Sequence, residues 1–138
     1  MFNFFKKSKP KKELVDKPDI TSSLTSTQID QIEQIEQSIS QLLQQIDHTD
    51  DAVTLASLYE KTGLLYCQLD CVDFAIEYLE KSLQHKKSIG EGYKALMNLY
   101  NHKRADAAKH GSMDDIDFWM NKMDSMRNIA KQVTVQRD

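Results

Sequence analysis

The sequence predicts an all-α protein of about five helices arranged as antiparallel hairpins, and three observations carry that expectation. Both prolines, Pro10 and Pro18, fall near the start, so nothing after them forbids long helices. Glycine occurs only 4 times in 138 residues, which is too turn-poor for a sandwich or barrel. Beyond residue 24, apolar residues recur in steps of three and four rather than alternating.

Composition bounds the rest. A chain of 138 residues fits one domain with a modest core. Hydrophobic residues at 40% and charged residues at 28% are ordinary for a globular protein. The net charge of −3 gives no global pull toward nucleic acid. No apolar run approaches the ~20 residues that span a bilayer. The opening Met1-Phe2-Asn3-Phe4-Phe5-Lys6-Lys7 places its charges after a short apolar patch, the reverse of a secretory signal. The expected location is cytoplasmic, where Cys67 and Cys71 stay reduced.

Residues 1–24 form a basic tail. Lys6, Lys7, Lys9, Lys11, Lys12 and Lys17 crowd around Pro10 and Pro18, and such a segment buries too little apolar surface to offset its ordering entropy. It is expected to be disordered. Phe2, Phe4 and Phe5 could insert among lipids while Lys6, Lys7, Lys9, Lys11 and Lys12 meet anionic headgroups, a weak peripheral contact at the inner face of the membrane. The same lysines could give nonspecific nucleic-acid affinity, the least favoured of these readings.

The helical domain covers 25–138. Its first helix, 25–48, opens on a capping box of Thr25 and Gln28, with Leu24 placed to staple onto Ile29. Ile32, Ile35, Ile39, Leu42 and Ile46 stripe one face with a heptad period, which also suits a coiled-coil seam between two copies. A second helix runs from about Asp51 to Leu69. Asp70 is positioned to cap a third through Asp73, which ends near Lys86 and Lys87. Gly90 to Gly92 mark a break before a fourth helix, Glu91 to Lys109. Gly111 is placed as a left-handed terminator, and Ser112 with Asp115 forms the box that opens the last helix. There Ile116, Trp119, Met120, Met123, Met126, Ile129 and Val133 recur at helical spacing, and the methionines are read as core rather than as an adaptable surface.

Tyr59 and Tyr93 lie 34 residues apart, as do Leu65 and Leu99, and Tyr66 and Tyr100. The segment Tyr59-Glu60-Lys61-Thr62-Gly63-Leu64-Leu65-Tyr66, followed by Ala75, Leu79 and Ser82, resembles the tetratricopeptide repeat, a helix–turn–helix unit of that length. Gly63 and Ala75 would let two helices approach closely. The second repeat departs from the pattern, since Met97 stands where the glycine should, and Tyr78-Leu79 aligns with Trp119-Met120 at 41 rather than 34. The resemblance implies a repeat over 51–88, a lengthened one over 89–135, and the first helix as an N-terminal cap.

What the resemblance implies for function is a non-catalytic adaptor that binds a protein or peptide in its helical groove. Carried onto this chain, the groove holds Glu60, Leu64 and Cys67 from one repeat and Lys94, Asn98 and Asn101 from the next. Lys94 and Asn98 resemble half of the family's carboxylate clamp, while Glu60 and Leu64 do not supply the other half. The alternative is a homo-oligomerising structural protein, a homodimer for example, that uses the isoleucine stripe of the first helix as a coiled-coil seam and could sit at the membrane surface. No catalytic constellation or cofactor is expected. Cys67 and Cys71 form one pair where a structural zinc needs four ligands. Asp114, Asp115 and Asp117 lack the glycine and terminal glutamate of a calcium loop, and suit a helix start.

Overall fold

Local capping chemistry sets where the helices begin. In the computed structural model, which describes residues 24–136, five helices appear: α1 Ser26–Asp47, α2 Ala52–Gln68, α3 Val72–His85, α4 Glu91–Lys109 and α5 Met113–Gln136. No strand occurs among the described residues. The basic tail, with Phe2, Phe4, Phe5, Lys6, Lys7, Lys9, Lys11 and Lys12, lies outside them. The chain divides into two compact units, Met1–Gln41 and Leu42–Asp138.

In the first unit the described residues carry most of α1. The Thr25 hydroxyl accepts from the Gln28 N–H at 3.0 Å, and the Gln28 side chain accepts from the Thr25 N–H at 2.8 Å, a complete capping box. Along the stripe, Ile32 and Ile35 are half-buried and Ile39 is only 1% exposed. Ile29 is exposed.

In the second unit, α2 and α3 form the first hairpin. Asp51 caps α2, its carboxylate accepting from the Thr54 N–H at 2.8 Å and from the Thr54 hydroxyl at 2.7 Å. The hydroxyl and then the amide hold the Asp51 carboxyl below its ordinary pKa. The two helices run antiparallel, since Ser82 near the end of α3 reaches Ala56 near the start of α2, and the Tyr66 ring near the end of α2 meets Phe74 near the start of α3. Between them, a Cβ built on Gly63 would lie 2.7 Å from Leu79 Cγ and 2.8 Å from its Cδ2. Only glycine permits that approach. The buried Thr62 and Ser82 hydroxyls are satisfied: Thr62 donates to the Leu58 carbonyl at 2.8 Å and Ser82 to the Ala56 carbonyl at 2.8 Å. Ser82→Ala should therefore cost about 0.5–1.5 kcal/mol in urea unfolding, and an unchanged midpoint would show that this bond contributes nothing.

An aromatic ladder fills one side of the hairpin. Phe74, Tyr66, Tyr78, Tyr59 and His85 follow one another with ring centroids 5.1, 5.5, 5.9 and 5.3 Å apart. Lys81 lies over the Tyr59 and Tyr78 rings at 5.7 and 5.4 Å.

Both hairpin turns close in the same way. After α2, the Cys71 N–H bonds the Tyr66 carbonyl and the Asp70 N–H bonds the Cys67 carbonyl, each at 3.0 Å. After α4, the Ser112 N–H bonds the Ala107 carbonyl and the Gly111 N–H bonds the Ala108 carbonyl. This Schellman closure needs a left-handed residue. Gly111 supplies it with φ 71°, as the sequence predicts. Asp70 supplies it in the first turn with φ 60°, so it does not cap α3. Cys71 stands at that N-cap, and its side chain makes no capping bond to the start of α3. With no glycine in this turn, a short polar side chain is the next most tolerant of the left-handed region.

The second hairpin, α4 and α5, is also antiparallel: the Tyr93 hydroxyl donates to the Met126 carbonyl at 2.8 Å, and the Tyr100 ring meets Trp119 at 5.8 Å. Ser112 Oγ accepts from the Asp115 N–H at 3.3 Å, which opens α5. Helix α3 packs against α4, and α2 touches α4 more narrowly. The core shared by the two hairpins holds Ile76, Leu79, Leu83, Leu96, Tyr100 and Met126.

The 34-residue offset preserves burial along the first helix of each hairpin: Leu58 and Gly92, Thr62 and Leu96, and Tyr66 and Tyr100 are all buried. The 41-residue offset, by contrast, holds for the turns and not for the faces. Leu79 is 1% exposed, but Met120, aligned with it in the sequence, is 49% exposed. Helix α3 lies between two neighbours, whereas α5 packs chiefly on α4. Of the methionines expected in the core, Met126 is buried, Met123 is half-buried and Met120 faces solvent.

Candidate partner-binding site

The six residues expected to line a groove separate by helix. On α4, Lys94, Asn98 and Asn101 stand at steps of four and three on one face, and all three are exposed. Asn101 accepts from Arg104 Nε at 3.0 Å, which steadies the end of the row. Lys94 makes no ion pair among the described residues, so its ammonium is free to meet an anion. Lys94 and Asn98 share a face and could hold a carboxylate by charge and hydrogen bond.

On α2, Glu60, Leu64 and Cys67 are half-buried. Leu64 and Cys67 pack against the shared core. Burial, then the charge of Asp70, pushes the Cys67 thiol pKa up, which keeps it protonated and unreactive. Glu60 is already engaged: its carboxylate accepts from the Gly92 N–H at 2.8 Å. Gly92 lies in the first turn of α4, whose N-cap Gly90 has no side chain to offer, so Glu60 satisfies one of the unpaired amides from a neighbouring helix. It braces α2 against α4.

A second polar cluster ties three helices together and had no signal in the sequence. Glu80 of α3 accepts from the Tyr100 hydroxyl of α4 and from Lys122 Nζ of α5, the latter at 3.0 Å. Burial, and then the bond to Glu80, raise the Tyr100 pKa. Lys122 also lies over the Phe118 ring at 5.6 Å. Nearby, Lys103 of α4 pairs with Asp73 of α3 at 2.8 Å and lies over Trp119 at 5.8 Å. These groups neutralise one another and hold helices in place.

Among the described residues no three His, Cys, Asp or Glu side chains converge as a metal site. No helix among them is long and apolar enough to cross a membrane.

The fold is thus that of an all-α protein built from packed helical hairpins. No protein-family model matches the chain, no curated protein matches its sequence, and no solved structure matches it.

Proposed function

We propose that this chain is a non-catalytic interaction module of the tetratricopeptide type, an adaptor that holds a short peptide or partner helix against the exposed face of α4. The observation that carries this reading is the row Lys94, Asn98 and Asn101, exposed on a helix whose opposite face is locked into the core by Leu96 and Tyr100. A rigid helix presenting a cation and two amides suits a peptide carboxylate better than a catalytic step. The burial register at 34 residues supports the family assignment. The module would act in the cytoplasm, and its basic tail would add weak attachment to an anionic membrane.

Selection of short peptides against the domain, followed by titration of the best one, tests the reading. Amide shifts should centre on Lys94, Asn98 and Asn101. Lys94→Glu should weaken binding by about tenfold or more, because a charge-assisted bond is lost and repulsion replaces it. If both Lys94→Glu and Asn98→Ala bind as the parent does, the α4 face is not the site.

A further inference from the structure

Helix α5 carries a second ordered face, away from the groove. Met113, Asp117, Met120, Asp124, Arg127 and Lys131 follow one another at steps of four, three, four, three and four, so they lie on one line along the helix. All six are exposed. Met113 is 68% and Met120 49% exposed, an apolar content that a solvated face does not require. The charges on this line are segregated: acid at Asp117 and Asp124, base beyond them at Arg127 and Lys131.

That order is self-complementary in one orientation only. Two copies of α5 laid antiparallel, with a two-fold axis between Met120 and Asp124, set Asp117 opposite Arg127 of the second copy, twice by symmetry. Met113 then lies beside the aliphatic stem of Lys131 of the second copy. A parallel pair would instead set Asp117 against Asp117 and Arg127 against Arg127. Arg127 already bonds Asp124 of its own helix at 2.7 Å, with side chains 57% and 67% exposed. A pair that open to water contributes little and exchanges readily.

We propose that the Met113–Lys131 face of α5 is an interaction surface for a second copy of this chain, paired antiparallel about a two-fold axis. The proposal does not depend on the α4 groove, which lies on another helix. The contact is a single helix face and half polar, so it falls at the small end of specific interfaces. Association is accordingly weak, with a dissociation constant of roughly 0.1 mM, and salt-sensitive.

Sedimentation equilibrium of the full chain at rising concentration tests it. The parent should pass from monomer to dimer, and added salt should shift the balance toward monomer. Asp117→Arg and Arg127→Asp each place like charges together twice across the axis, and each should weaken association by about tenfold or more. Both positions are exposed, so helical dichroism should stay at the parent level, which separates this loss from unfolding. An equimolar mixture of the two variants pairs opposite charges at both contacts and should recover association. A parent that stays monomeric to about 1 mM overturns the proposal. So does a mixture that associates no better than either variant alone, or a dimer that both variants retain.

Discussion

Leu79→Ala should lower the free energy of unfolding by about 2–5 kcal/mol, among the largest losses available to a single side chain here. Leu79 is 1% exposed, belongs to the core shared by both hairpins, and fills the space that the missing Gly63 side chain leaves. Gly63→Ala approaches the same contact from the other side. Its Cβ would press on Leu79 Cγ and Cδ2 at 2.7 and 2.8 Å, and overpacking of this kind costs about 1–3 kcal/mol. The two changes should not add. With Leu79 truncated, the clashing carbons are gone, and only the Leu79 backbone nitrogen remains near, at 3.1 Å. Urea unfolding of both single variants and the double variant should show a coupling of about 0.5–3 kcal/mol in favour of the double. Strict additivity would mean that the helices part at this contact instead of pressing on it.

Alkali should unfold the second unit abruptly. Burial, joined by the nearby charges of Glu77, Tyr59 and Asp47, pushes the Tyr78 hydroxyl pKa up to about 12. Burial also raises Tyr66 and Tyr100, the latter with help from Glu80. A group whose pKa is higher in the folded chain than in the unfolded one favours folding while it is protonated. The stabilisation is complete below the unfolded value of about 10 and is lost as pH rises from there through about 12. For Tyr78 alone the loss is roughly 2–3 kcal/mol, and the other two tyrosines add to it. Tyrosinate absorbance and loss of helical dichroism should therefore rise together above pH ~10. Complete tyrosine ionisation with the dichroism intact would show that these hydroxyls reach water in the folded chain.

How much of this was legible in the sequence follows the range of each interaction. The Thr25–Gln28 box, the limits of α4 and the left-handed Gly111 depend on residues within a few positions, and the sequence displays them. The Gly63–Leu79 approach is non-local, but the repeat pattern placed both partners. Asp70 was misread because an acid three residues before Asp73 looks like a cap. The tighter constraint was the preceding turn, which had to find a left-handed residue and had no glycine. Met120 was misread because alignment by spacing assumes that each helix has the same neighbours. Helix α5 packs chiefly on α4, so a position that is core in α3 faces water in α5. The resemblance assigned Lys94, Asn98 and Asn101 to a binding face, and all three are exposed on one side of α4. Helical spacing could not show that Glu60 would be drawn to the Gly92 amide, because that bond joins residues from two helices whose packing the spacing leaves open.

The meeting of α3, α4 and α5 at Glu80 bears on how the second unit would carry a load. One carboxylate receives both the Tyr100 hydroxyl and the Lys122 ammonium, so a shift of α4 tugs on α5 by way of α3. Lys103 adds a strut from α4 to the start of α3. Apolar interlocking such as Gly63 against Leu79 fixes the register of α2 on α3. The polar contacts at Glu80 add directional bonds among α3, α4 and α5. The partner proposed for Lys94 and Asn98 would therefore meet a stiff frame, in which force applied to one helix is shared by three.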